Sequence, residues 1–271
     1  MATNRIELSA DFVEQTKALF GEERYSRFSS ALETEPVVSV RHNPAKRAAD
    51  FSGEPVAWAA DACYLDCRPL FTADPLFHAG CYYVQEASSM FLEQAIRQYV
   101  DAPVRVLDLC AAPGGKTTHL LSLLPEGSLL VSNEPMPLRA QVLAENVIKW
   151  GNPSAVVTRN MPADFSPLRN FFDVIVVDAP CSGEGMFRKD AFAVEQWSVA
   201  SVMQCAERQR QILRDVWEAL RPGGRLYFEV GIGQADTVLR MMRGHGFGDV
   251  NIVEDTAGIP RVVYGTLIAE I

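Results

Sequence analysis

The chain has 271 residues, 48% of them hydrophobic, with 34 acidic against 25 basic side chains and a formal net charge of -9. That size and apolar content can bury a full core as one large domain, or as one domain with a smaller companion. No apolar run reaches the roughly 18 residues of a membrane span, six cysteines do not make a secreted disulfide framework at this length, and the acidic excess argues against gripping nucleic acid over the whole surface.

The polar start, Met1 to Phe12, lacks the apolar stretch of a secretory leader, so a reducing cytoplasm is the expected location. Cys63 and Cys67 stand close in sequence, but no second Cys or His pair follows at zinc spacing, and no metal is expected. Basic residues gather locally, at Arg41, Lys46 and Arg47 and again at Arg188 and Lys189. Each cluster is a candidate phosphate-binding patch, and the first reads equally well as solvated surface charge.

In chain order, residues 1 to about 85 read as a small α+β region. A helix-like stretch covers Phe12 to Leu32, and short segments punctuated by Pro and Gly follow: VVSV, PVAWAA and CYL. From residue 86 the pattern alternates between strand and helix. Apolar strand-like runs cover 104–110, 128–133, 155–159, 173–180, 225–230, 249–255 and 261–267. Helical stretches cover Lys116–Leu124, Pro137–Trp150, Val199–Leu220 and Gln234–Gly244. This alternation predicts an α/β domain over 86–271, with a seven-stranded, mostly parallel Rossmann-like sheet. The last two runs have no helix between them and predict a terminal hairpin. A ligand belongs at the carboxyl ends of the first strands.

The first run leads into Cys110, Ala111, Ala112, Pro113, Gly114, Gly115 and Lys116. Small residues let the backbone approach a ligand closely, and the following helix offers its N-terminal amides. A phosphate-binding P-loop would need glycine where Cys110 stands, and the dinucleotide fingerprint would need a third glycine. The second run ends at Glu134, placed to accept hydrogen bonds from two ribose hydroxyls. An adenosine ligand without a polyphosphate follows, and S-adenosylmethionine fits that description.

The fourth run leads into Asp178, Ala179, Pro180 and Cys181, then a Ser-Gly-Glu-Gly stretch read as flexible. A cysteine beyond a strand end on the ligand side is a candidate nucleophile. Carbon-5 of cytosine is too electron-poor to take a methyl cation directly. Thiolate addition at carbon-6 makes an enamine and activates carbon-5, and an acid such as Asp178 near the ring nitrogen stabilises the adduct.

The segments LDLCAAPGGKT, NEP, VVDAPCSGEGMFRKD and ERQRQILRDVWEALRPGG resemble the Nol/Nop/Sun family of RNA cytosine carbon-5 methyltransferases, in its bacterial ribosomal-RNA branch. DPLFHAGCYYVQEASSM upstream matches too, including a Gln-Glu-x-Ser-Ser segment from Gln85 to Ser89. The resemblance spans about residues 1–224. It implies a methyltransferase-type sheet, S-adenosylmethionine as cofactor and RNA, in particular ribosomal RNA, as partner. It also implies that Cys110 to Lys116, Glu134, Asn160 and Asp178 contact the cofactor or the target base.

The chain then departs from that family. Its members continue after Pro-Gly-Gly to a Tyr-Ser-Thr-Cys segment whose cysteine is the usual nucleophile, while the Pro-Cys cysteine, here Cys181, assists product release. No cysteine follows Cys205 in this chain. The tail, with E-x-G-x-x-Q from Glu229 and D-x-A-G-x-x-R-V from Asp255, instead resembles the end of release-factor glutamine methyltransferases. Their Asn-Pro-Pro-Tyr motif is absent, and the tail is not expected to supply the family's C-terminal RNA-binding extension. Cys181 is therefore the remaining thiol for catalysis, acting as nucleophile as the Pro-Cys cysteine does in DNA cytosine carbon-5 enzymes. The alternatives are a cofactor- or RNA-binding scaffold without turnover, and a protein glutamine methyltransferase.

Overall fold

The computed structural model describes residues 6–46, 53–230, 233–254 and 258–268. Arg47 of the first basic cluster, and Gly231, Asp255 and Ala257 of the tail motifs, lie outside the described residues. The chain packs as two compact units, one of residues 37–178 and 215–224, the other of 1–36, 179–214 and 225–271.

The first unit opens with a three-stranded antiparallel sheet in the order β2-β1-β3, built from β1 (Val38–His42), β2 (Ala62–Leu65) and β3 (Tyr82–Val84). Of the short segments, VVSV runs into β1 and CYL lies in β2, whereas PVAWAA forms turns with one isolated bridge at Pro55. The short α2 (Pro75–His78) begins on Asp74, whose side chain accepts the Leu76 N–H. Central strand β1 is covered on both faces. Val38 and Val40 join a core with Phe71, Cys81 and Tyr82, while Ser39 and Arg41 point the other way, as the two-residue period requires.

Arg41 therefore cannot serve the surface patch expected of it. It is 1% exposed, donates from Nε to Gln85 Oε1 at 2.9 Å and from Nη2 to Thr118 Oγ1 at 2.7 Å and to the Gly115 carbonyl at 3.3 Å, and stacks 4.6 Å from the Trp150 ring centroid. Burial lowers its pKa to about 9, against the pull of Tyr83, Glu93 and Asp61, so it stays charged at neutral pH. Lys46 is likewise committed, donating to the Ala79 and Lys149 carbonyls at 2.9 and 2.7 Å.

The same unit carries α3 (Leu92–Tyr99), β4 (Arg105–Asp108), α4 (Gly115–Leu123), β5 (Leu129–Asn133), α5 (Pro137–Trp150), β6 (Ala155–Thr158) and β7 (Phe172–Val176). β4 pairs in parallel with β5 and β7, and β5 with β6. Helix α5 has the bounds read from sequence because both ends are marked. Pro137 sits in the first turn, where its missing N–H costs nothing, and Gly151 closes the helix at φ +84°. Val106, Leu120, Leu130, Leu143 and Trp150 form the core beneath the sheet.

A buried acid joins α3 to α4. Glu93, 3% exposed, accepts from His119 Nε2 at 3.0 Å, Arg97 Nε at 2.6 Å and the Ala60 N–H at 3.1 Å. Burial pushes its carboxyl up, but the three hydrogen bonds and the Arg97 charge outweigh it and hold the pKa at about 2. A depressed folded-state pKa adds stability that is fully present above the ordinary value of 4.5 and is lost as the pH falls through the folded value. At 1.36 kcal/mol per pKa unit the contribution is about 3 kcal/mol. Urea unfolding of a Glu93→Gln variant should show that deficit near pH 7 and little of it near pH 2. An equal deficit at both pH values would mean the carboxylate charge is not what stabilises this junction.

The second unit holds α1 (Ala10–Leu32), α6 (Ala191–Gln196), α7 (Val199–Val216), α8 (Ala235–Gly244), β9 (Phe247–Glu254) and β10 (Pro260–Leu267). Strand β8 (Leu220–Glu229) covers 225–229 of the expected run; Gly223 before it stands at φ +80°, a turn conformation, and pairing with β10 begins at Arg225. Helix α1 is interrupted at Gly21, whose φ of 76° and ψ of 164° are not helical. Phe12 and Leu32 of α1 pack with Phe187 and Trp197, burying the helix on the segment that follows the Pro-Cys motif. β9 and β10 form the expected antiparallel hairpin, and β10 also pairs with β8. The larger sheet runs β6-β5-β4-β7-β8-β10-β9, the seven-stranded Rossmann-like order. No described helix is long and apolar enough to cross a membrane.

Candidate active site

Within the first unit, the carboxyl ends of β4, β5, β6 and β7 gather the residues singled out by sequence. Asp108 ends β4 and Asn133 ends β5, with Glu134 directly after it. Asn133 ties the loops together. Its Nδ2 donates to the Leu109 and Asn160 carbonyls at 3.1 and 3.0 Å, its Oδ1 accepts the Asn160 N–H at 2.8 Å, and its carbonyl accepts the Ala111 N–H at 2.9 Å. Sequence reading credited Glu134 and missed this neighbour, although both stand in the same quoted motif.

The loop from Cys110 to Gly115 is shaped by close approach. Gly114 has φ +112°, and a Cβ there would meet Leu143 and Asn146 at 3.3 and 3.4 Å, so only glycine fits without strain. Helix α4 starts on Gly114 with no side-chain cap, leaving its first-turn amides available to an anionic ligand. Arg139 donates to the Ala112 carbonyl at 2.9 Å and approaches Glu134 Oε2 at 3.5 Å. Asn146 donates to the Pro113 carbonyl at 2.8 Å.

The acids differ in state. Asp108 is fully buried; Oδ2 accepts from Thr117 at 2.7 Å and Oδ1 has no partner among the described residues. Burial raises its pKa to about 6, opposed by the Thr117 hydrogen bond and Lys116. Glu134 is buried and accepts the Met136 N–H at 3.0 Å. Asp178 is largely exposed and pairs with Lys116 at 2.5 Å. Asn160 is exposed, its backbone held by Asn133. A buried acid pair, a glycine cradle and an uncapped helix start suit a polar, partly cationic ligand with hydroxyls and a carboxylate. S-adenosylmethionine has all of these.

The six cysteines are separated by environment. Cys110 is in the loop itself. Burial first, then the charges of Asp108, Glu134 and Asp178, push its thiol up to about 12. At neutral pH only about one molecule in 100,000 would carry the thiolate there. Burial also raises Cys63. Cys181 belongs to the second unit and is exposed. Its stretch is flanked by hydrogen bonds on both sides. The Pro180 carbonyl accepts from Gln209 Nε2 at 3.0 Å. Glu184 Oε1 accepts from Ser182 Oγ at 2.6 Å and from Trp197 Nε1 at 2.8 Å. Gln209 and Trp197 lie outside the motif and carried no signal that sequence reading used. Arg188, expected on a phosphate-binding patch, instead donates to the Glu35 carbonyl at 2.8 Å and to Thr34 at 3.4 Å.

The model of the 16S rRNA methyltransferase RsmB/F family matches residues 99–231, and that of the N-terminal domain of 16S rRNA methyltransferase RsmF matches 8–87. The chain is 34% identical over 244 residues to ribosomal RNA small subunit methyltransferase F of Erwinia tasmaniensis, covering 83% of this chain and 51% of that protein. It thus spans about half the length of that relative. Two solved structures share the fold at low identity. A methyltransferase homologue from Pyrococcus horikoshii superposes with a TM-score of 0.75 at 21% identity, covering 96% of this chain and 95% of that one. NSun6 from Pyrococcus horikoshii, solved with SFG, gives 0.75 at 14% identity, covering 97% of this chain and 99% of that one. Residues 232–271, which carry most of the tail motifs, fall outside the family match.

Proposed function

The chain belongs to the RsmB/F family of 16S rRNA methyltransferases, and from that premise we propose that it methylates carbon-5 of cytosine in ribosomal RNA, using S-adenosylmethionine. The observation that carries this reading is the gathering of Asp108, Glu134, Asn160 and Asp178 around the glycine loop at the carboxyl ends of four strands. A ribosomal RNA substrate implies a cytoplasmic site of action. The division into residues 1–85 and 86–271 is part of the same proposal, supported by the N-terminal match ending at residue 87.

Bound at the loop, S-adenosylmethionine supplies an electrophilic methyl group. Glu134 would accept from its ribose hydroxyls, and the first-turn amides of α4 would hold its carboxylate. Cys181 stands three residues beyond Asp178, and chain length alone keeps their Cα atoms within about 11 Å. Its thiolate adds to carbon-6 of cytosine. The carbon-5–carbon-6 electron pair then resides on carbon-5, which becomes the methyl acceptor, and Asp178 near the ring nitrogen favours the adduct. Water at the exposed site takes the carbon-5 proton, its electron pair restores the double bond, and the carbon–sulfur bond breaks to release the thiolate. Lys116, ion-paired to Asp178, keeps that acid oriented.

The cofactor part is tested by calorimetry. The chain should bind S-adenosylmethionine and its demethylated product with comparable affinity. Glu134→Ala should weaken both by roughly ten- to a hundredfold, the loss of hydrogen bonds to a charged group. Unchanged binding by that variant would remove Glu134 from the site.

A further inference from the structure

A cavity of about 320 Å³ opens beside the cofactor loop, wholly within the first unit, and the chemistry set out above makes no use of it. Phe71, Phe77 and Tyr83 from the N-terminal region line one part, and Asn146 and Lys149 of α5 line another, with Arg68 also in the wall. In a chain with net charge -9, not one Asp or Glu among the described residues lines this cavity. Both cations lie against aromatic rings, Lys149 Nζ 4.5 Å from the Phe77 centroid and Arg68 Cζ 5.5 Å from that of Phe71. Phe77 and Tyr83 are half-buried, so part of each ring remains accessible. The cavity also touches the loop's supports. Asn146 holds the Pro113 carbonyl, which leaves its own side-chain oxygen as an acceptor, and Tyr83 sits 3.5 Å from where a Cβ on Gly115 would stand.

Accessible rings, an amide acceptor and two cations without a carboxylate match a flat heteroaromatic group that carries negative charge. A nucleotide has this combination. Stacking tolerates any base, and the cations take the phosphates. We propose that this cavity is a subsite for one nucleotide of single-stranded RNA, with Phe77 and Tyr83 meeting the base and Arg68 and Lys149 the adjoining phosphates. The proposal rests on the reading of the chain as an RNA methyltransferase and adds where a nucleotide other than the target is held.

Titration of a labelled single-stranded RNA oligonucleotide with the full chain, repeated over a range of salt concentrations, tests it. Binding should be weak and salt-dependent. Arg68→Ala with Lys149→Ala should lower affinity about tenfold at moderate salt and reduce the slope of log K against log salt by about 1.4, as expected for two phosphate contacts to a single strand. Phe77→Leu should lower affinity about fivefold and leave the slope unchanged, because stacking is not a counterion effect. Thermal unfolding of each variant checks that it folds, and the exposed Arg68 allows the slope test to stand even if Phe77→Leu does not fold. Wild-type binding by all cavity variants would overturn the subsite and leave the RNA reading intact. An equal loss of slope in Arg240→Ala with Arg243→Ala on α8 would also overturn it, since any surface charge would then serve. Binding of cytidine monophosphate as tight as that of the oligonucleotide would assign the cavity to free nucleotides instead. No RNA binding by the unaltered chain would sink the RNA reading itself.

Discussion

Replacing Cys181 with alanine should abolish methyl transfer to RNA, a fall of about a thousandfold or more, because covalent activation of carbon-6 has no substitute once the nucleophile is gone. RNA carrying 5-fluorocytosine separates chemistry from binding. Fluorine at carbon-5 cannot leave as the proton does, so an enzyme that adds its thiolate stays bound to the base. The unaltered chain should give an adduct stable to denaturation, and Cys181→Ala should give none. Cys110 is not a competing thiol, since its pKa of about 12 keeps it protonated. An adduct that persists in Cys181→Ala would place the reactive cysteine elsewhere. No adduct from either protein would favour a cofactor- or RNA-binding scaffold, in which Cys181 has kept only a release role.

Arg41→Met should destabilise the first unit by about 3–5 kcal/mol, among the largest effects of a single substitution. Methionine retains the length and much of the apolar contact with Trp150 but donates nothing. Gln85 Oε1 and Thr118 Oγ1 would each lose a buried donor, at about 1–3 kcal/mol apiece. Gln85 Nε2 already lacks a partner among the described residues, so the variant would strand the whole amide. Adding Gln85→Leu should therefore restore about 1 kcal/mol or more, since removing both partners costs less than removing one. Urea unfolding of the three proteins checks this. If the double variant is less stable than Arg41→Met alone, the Arg41–Gln85 hydrogen bond is not the source of the effect.

Arg41 also marks the limit of what the sequence made legible. A basic residue near Lys46 and Arg47 reads as surface charge, and nothing local shows that β1 is the middle strand of a sheet covered on both faces. The alternation Val38-Ser39-Val40-Arg41 is the pattern of a half-exposed strand, and tertiary packing overrode it. By contrast, the parallel strands and α5 were legible because their signals are local: continuous apolar runs, and a proline and a glycine at the helix ends. The glycine loop and Glu134 were readable because a ligand loop must use small residues after a strand. Their supports Asn133, Arg139 and Asn146 were not, because each acts through one backbone carbonyl, a role many polar residues fill. The same holds for Gln209 and Trp197 around Cys181, which reach the motif from 28 and 16 residues downstream. The turn chemistry of Pro222, Gly223 and Gly224 was legible as well: Gly223 stands at φ +80°, and β8 pairs with β10 from Arg225 onward.

The packing of α1 on Phe187 and Trp197 sets a condition on synthesis at the ribosome. Phe12 is translated about 175 residues before Phe187. At 5–20 residues per second, the apolar face of α1 waits roughly 10–35 s for its partner. Over that interval Phe12, Phe28 and Leu32 form a hydrophobic segment with no place to dock, while residues 37–178 of the other unit are already available to fold. The packing around α1 therefore closes only when translation has passed the Pro-Cys motif.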